Sequence, residues 1–167
     1  EDEQPDVLCL QETKVTDQDF PYKTFEQIGY SVKIYGQKSY NGVAIISKYT
    51  IADIRYGFAG ELNQLKISEE LHLQKRIISG LINGIRIINV YVPNGSSLNS
   101  EKFNYKVSWL AKLHEYLVKQ SKRGEPTCLL GDFNIALEDN DIYAPDKFKG
   151  SIMASEIERK MLREALG

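Results

Sequence analysis

A chain of 167 residues, 42% of them apolar and 26% charged, has the length of one domain and the composition of a globular core. A formal net charge of −2 and a pI near 5.8 exclude holding a polyanion by bulk charge alone; a nucleic-acid role would need a local basic stripe or a metal. No apolar run approaches membrane-spanning length and the acidic start "EDEQPDVL" carries no signal or transit pattern, so a cytoplasmic protein without a membrane partner is expected.

In chain order, "DVLCLQE" (6–12) is a short apolar strand, "YSVKIYG" (30–36) alternates, and "GVAIISK" (42–48) is a nearly continuous apolar run. "IADIRYGF" (51–58) follows after a tight turn. "LHLQKRIISGLI" (71–82) meets "IRIINVYVP" (85–93) across Asn83-Gly84, a strong two-residue hairpin signal. A long helix is predicted from about Asn99 to Arg123, where Phe103, Val107, Leu110, Leu113 and Leu117 recur at helical spacing, with Ser100 as cap and Gly124 as stop. "TCLLGDF" (127–133) is the last strand, and "SEIE" (155–158) is a capping box before a final helix. Repeats and linkers are not evident, so a single domain over 1–167 is expected. Strands outnumber helices and include hairpins, which argues for a mixed α/β sandwich rather than a doubly wound parallel sheet. Cys9 and Cys128 lie in apolar runs and are expected to be buried and reduced; without spaced His partners they make no zinc site.

Three apolar runs end in polar groups. "VLCLQE" ends at Gln11-Glu12, "RIINVYVPN" carries Asn89, Tyr91 and Asn94, and "LLGDFN" ends with Asp132 and Asn134. In an extended strand, Asp132 and Asn134 would share one face. Strands lying side by side would bring these ends to one pocket. Carboxylate and amide oxygens without thiols or paired His suit a hard cation such as Mg²⁺, with Mn²⁺ as the alternative, and Mg²⁺ suits phosphoryl chemistry.

These segments resemble the exonuclease III family of apurinic/apyrimidinic endonucleases, within the endonuclease/exonuclease/phosphatase superfamily. The likeness runs in order through "PDVLCLQETKVTDQDFP" (5–21), "GYSVKIYGQKSYNGVAIISK" (29–48), "KRII" (75–78), "NVYVPNG" (89–95), "LLGDFNIALEDNDIYAP" (129–145) and "SEIER" (155–159). "LQETK" and "GDFN" belong to the wider superfamily; "QETKVTDQDFP", "GQKSYNGVAI" and "YVPNG" resemble the exonuclease III branch. The resemblance implies a four-layer α/β sandwich, two packed mixed β-sheets flanked by helices and incomplete at both termini. It also implies Mg-dependent hydrolysis of the DNA phosphodiester 5′ to abasic sites, with trimming of 3′ ends, on double-stranded DNA by a protein that is monomeric when complete. Residue by residue, it makes Glu12 a metal ligand and places Tyr91 near the scissile phosphate. Asp132 would orient or deprotonate the attacking water, and Asn134 would help hold the phosphate. Lys14 and Lys102, which adjoin these strand ends, Asn94 of the "YVPNG" match and Tyr40 in its turn are the DNA-contact candidates. Lys38, Lys75 and Arg76 read as solvated surface charges, and His72 and His114 as structural or exposed.

Family members also begin with a strand carrying Trp-Asn and continue to a later Asp and a terminal Ser-Asp-His, none of which occurs here. The chain therefore resembles the middle of the family fold, and as it stands is expected to be a weak or inactive nuclease, less stable than its parent and prone to associate. The alternatives are another phosphoesterase of the superfamily, such as a phosphomonoesterase, a sphingomyelinase or an RNA deadenylase, or an inactive nucleic-acid or protein binding module on the same fold.

Overall fold

Runs of β-branched residues set the architecture. The computed structural model describes residues 3–63 and 68–167, and by its contacts the chain divides into two compact units. The first comprises Glu1–Tyr91 with Arg123–Asp132, the second Val92–Lys122 with Phe133–Gly167.

The first unit holds both sheets. In one, β1 (Val7–Gln11) and β2 (Ser31–Tyr35) flank a central β3 (Val43–Ser47), with both pairings antiparallel. All five residues of β3 are buried, because a central strand is covered on both faces; that is why "GVAIISK" is continuous rather than alternating. The second sheet runs in the order β4 (Ala52–Tyr56), β5 (Ile77–Ile82), β6 (Ile85–Tyr91), β7 (Thr127–Asp132). Its first two pairings are antiparallel and β6–β7 is parallel. Asn83 and Gly84 take φ of 49° and 80°, the positive pair that a tight hairpin turn with right-handed strand twist requires.

Between the sheets, Val43 and Ile45 of β3 pack with Ile51, Ile78, Ile82 and Ile87, and Tyr91 and Leu130 join this core from the second sheet. Asn89 crosses it: fully buried, it donates to the carbonyls of Leu10 and Ala44, both at 2.9 Å, and accepts from Gln11 Nε2 at 2.7 Å. The outer face of the first sheet is covered by Phe20, Tyr30, Ile34 and Ile46, and by α1 (Tyr22–Glu26), whose Phe25 stacks on Phe20. With no Ser, Thr, Asp or Asn at its N-cap, α1 left no sequence signal.

Two expectations need correction. The segment 71–82 is not one strand: α2 (Glu69–Leu73) precedes β5, because Ser68 caps a helical turn by accepting from Leu71 N–H. His72 thus falls in a helix rather than a strand, and its side chain lies outside the described residues. Cys128 is exposed rather than buried, since it starts β7, an edge strand in this sheet order. Cys9 is half-buried, and burial pushes its thiol up to about 12, with the nearby Cys128 adding.

In the second unit, α3 (Glu101–Ser121) starts where Ser100 Oγ accepts from Phe103 N–H. Phe103, Leu110 and Leu113 are buried as their spacing predicts, and His114 is exposed. A short α4 (Pro145–Phe148) comes next, then α5 (Glu156–Leu166), which packs on α3. The predicted box is formed: Ser155 Oγ accepts from Glu158 N–H while the Glu158 carboxylate accepts from Ser155 N–H.

Candidate active site

Within the first unit, three strand ends meet. Parallel pairing sets Tyr91 of β6 beside Asp132 of β7. Opposed residues share a face, and here it is the face of Asn89 and Leu130, toward the first sheet. Gly131 permits this approach: its φ is +141°, and a Cβ there would lie 2.0 Å from the Val90 carbonyl oxygen. At the end of β1, the bond from Gln11 to Asn89 holds the strand to β6, and Glu12 follows with φ +52°. A left-handed non-glycine costs about 1–3 kcal/mol and persists only where surroundings impose it. Here it turns the Glu12 carboxylate back to accept a hydrogen bond from the Tyr91 hydroxyl.

The electrostatics follow from those contacts. The Lys14 ammonium, 2.7 Å from Glu12, holds that carboxyl below the usual carboxylate range, and the Tyr91 hydrogen bond adds to this. Burial pushes the Tyr91 phenol up, and its bond to Glu12 pushes it further, so the phenol keeps its proton and acts as a donor. Arg76, which sequence reasoning left as a solvated surface charge, belongs to this group. Its carbonyl accepts from Tyr91 N–H at 2.7 Å, and its guanidinium lies 4.6 Å from the Tyr91 ring centroid. One signal was available: with two hairpin residues between β5 and β6, counting outward from the turn sets Arg76 opposite Tyr91.

The branch-specific segments interlock around Glu12. Lys14 N–H donates to the Asn41 carbonyl and Ser39 N–H to the Lys14 carbonyl, so the turn bearing Tyr40 pairs with the Lys14 backbone. Tyr40 itself is 71% exposed. Gly42 packs where a Cβ would meet Thr13 Oγ1 at 2.1 Å, and Gly42 N–H donates to the Lys75 carbonyl. Lys75 is not a free surface charge, since its ammonium lies 4.0 Å from the Tyr35 ring centroid; Lys38 is exposed.

The remaining candidates lie in the second unit. β7 ends at Asp132 and Asn134 has φ +48°, so the chain does not stay extended and the alternation argument for a same-face pair with Asp132 fails. Asn134 Nδ2 donates to the Val92 carbonyl at 3.0 Å, and Asn94 Nδ2 lies 3.4 Å from Asn134 Oδ1. Lys102 is exposed in the first turn of α3.

Two sheets packed face to face, with strand ends carrying Glu12, Tyr91 and Asp132, define the class of the protein as a mixed α/β sandwich. The chain belongs to the endonuclease/exonuclease/phosphatase family, whose model matches residues 1–163. It is 38% identical to exodeoxyribonuclease III of Haemophilus influenzae over 149 residues, 86% of this chain and 53% of that protein. It superposes on the structure of a 3′ phosphatase, NExo, from Neisseria bound to product DNA hairpin, with a TM-score of 0.89 and 39% identity, over 99% of this chain and 61% of that one. An AP endonuclease from Archaeoglobus fulgidus matches with a TM-score of 0.87 and 38% identity, with the same coverage. The chain thus spans about half to three fifths of the length of these relatives.

Proposed function

We propose that the protein carrying this chain is a DNA-repair nuclease that hydrolyses the phosphodiester 5′ to abasic sites and trims 3′ ends. The observation that carries this reading is the contact of Glu12 with Tyr91 beside the Tyr91–Asp132 pair. The likeness to exonuclease III and AP endonuclease chains supports it.

Glu12 offers one ionised carboxylate, 43% exposed, which suits a hard cation that keeps most of its waters. Glu12 is the ligand assigned to Mg²⁺ or Mn²⁺ by the family resemblance; among the described residues no group of three or more His, Cys, Asp or Glu side chains is placed to hold an ion. When bound, such an ion neutralises developing charge on phosphate oxygen. The chain's own residues do the rest. Asp132 accepts the proton of the attacking water; the bond from phosphorus to the water oxygen forms as the bond to the 3′-oxygen of the preceding nucleotide breaks, and that leaving oxygen takes a proton from solvent. Tyr91, neutral, donates its one O–H to Glu12 and so orients that carboxylate beside the phosphate, and Arg76 holds the Tyr91 ring. Asn134 and Asn94 are assigned to the phosphate and the adjoining DNA, and Lys14, Lys102 and Tyr40 to the DNA backbone.

The NExo relatives, a 3′ phosphatase and a 3′-5′ exonuclease, favour 3′-end processing as a second reading. One assay separates the two: the intact protein with Mg²⁺ is given an abasic duplex, a duplex with a 3′-phosphate, and a lipid or inositol phosphate panel. Incision of the abasic duplex supports the first reading and release of 3′-phosphate alone the second. Turnover confined to the non-nucleic panel sinks both.

A further inference from the structure

Lys106 of α3 is wholly buried, as is Glu158 of α5, to which its ammonium donates at 2.5 Å. The same ammonium donates to the carbonyls of Asn94, at 3.1 Å, and Asn134, at 2.7 Å. That makes three acceptors for a group with three N–H bonds. Glu158 is fixed in turn, accepting from Ser155 N–H and Oγ and from Met153 N–H. Both turns bend tightly over the lysine stem. Gly95 has φ +92°, and a Cβ there would lie 3.1 Å from Lys106 Cδ; Asn134 takes the left-handed φ of +48°. A buried ion pair is weak evidence for stability, because hydrophobic residues of similar volume often serve as well. An apolar pair, however, could not hold two carbonyls from segments 40 residues apart.

We propose that Lys106, anchored by Glu158, is a positioning residue that sets the spacing and direction of the Asn94 and Asn134 carboxamides for a phosphate ligand. The inference rests on the reading above, in which these amides face DNA phosphate.

The test is the double variant Lys106→Met/Glu158→Gln in the intact protein. It removes both charges together, and Gln at 158 can still complete the capping box. Backbone and side-chain amide NMR signals of 94–96 and 133–136 should shift or broaden while the β-sheet signals stay, and kcat/KM on abasic duplex should fall about 10²-fold, the usual result of misplacing a positioned group. In an Asn134→Ala background the same pair of changes should cost less than about threefold, since residues acting through one another are not additive. Unchanged amide signals, or equal losses in both backgrounds, would overturn the proposal. If the wild-type protein hydrolyses no DNA phosphoester, the functional reading fails while the NMR result still decides the role of Lys106. Should the double variant not fold, Lys106→Arg keeps the charge on a longer, planar head. It should displace the same amide signals and slow turnover, and wild-type signals and turnover would overturn the proposal equally.

Discussion

In the proposed function Asp132 and Glu12 divide the chemistry, and isosteric changes can tell their roles apart. Asp132→Asn keeps shape but removes basicity, so the single-turnover rate should drop roughly 10²–10⁴-fold at saturating Mg²⁺, with DNA affinity largely kept. Glu12→Gln should instead raise the Mg²⁺ concentration needed for half-maximal incision, and an unchanged metal requirement would remove Glu12 from the ligand role. Tyr91→Phe deletes one hydroxyl and should slow incision by less than Asp132→Asn. Cys9 gives a check independent of activity. With its thiol held at about 12, the thiolate that attacks alkylating agents is scarce at neutral pH. Mass-mapped labelling of the folded protein should leave Cys9 unmodified and should reach it in denaturant. Rapid native labelling would show that β1 is less well packed than described.

Among elements, one buried amide adds a polar tie to the apolar join between the sheets. Asn89 of β6 reaches two carbonyls of the opposite sheet and takes a donor from Gln11, the residue before Glu12. Asn89→Leu preserves size but leaves those groups without their partner in a dry interior. Unsatisfied buried groups cost about 1–3 kcal/mol each, so a loss of roughly 2–4 kcal/mol in urea unfolding is expected. The end of β1 should loosen with it, so metal affinity should weaken although no ligand has changed. A variant with wild-type stability would mean that the sheets are joined by apolar packing alone.

For the molecule as a whole, an acidic balance has to be reconciled with the polyanionic substrate proposed for it. The formal charge is −2, yet the Lys14 ammonium lies 2.7 Å from Glu12 and the Arg76 guanidinium acts on the same carboxylate in the first unit. Binding to duplex DNA should therefore be salt-dependent despite the pI. Lys14→Ala and Lys102→Ala should each weaken binding across sequences and lower the slope of log K against log salt by about 1. A slope indifferent to salt and to both changes would refute a phosphate-tracking surface.

Local chemistry carried much of this into the sequence. Asn83-Gly84 can adopt its turn almost alone, Ser100 and the Ser155–Glu158 box are caps with a fixed four-residue reach, and β3 announces its central place by having no polar face. Glu12, Tyr91 and Asp132 stood out as candidates because three apolar runs end in polar groups and these residues match a family pattern. What the sequence alone could not decide depended on partners distant along the chain. Asn89 read like another strand-end polar group, but burial between two sheets makes it a tie rather than a site residue. Arg76 read as a surface charge until β5 laid it over Tyr91. Extended backbone was assumed through Asn134, but β7 ends at Asp132 and the Asn134 carbonyl turns to the Lys106 ammonium. The Asn89 and Asn134 outcomes are fixed by contacts between residues 28 or more positions apart, a separation that neither periodicity nor capping rules can span, whereas Arg76 can be counted outward from the Asn83-Gly84 turn.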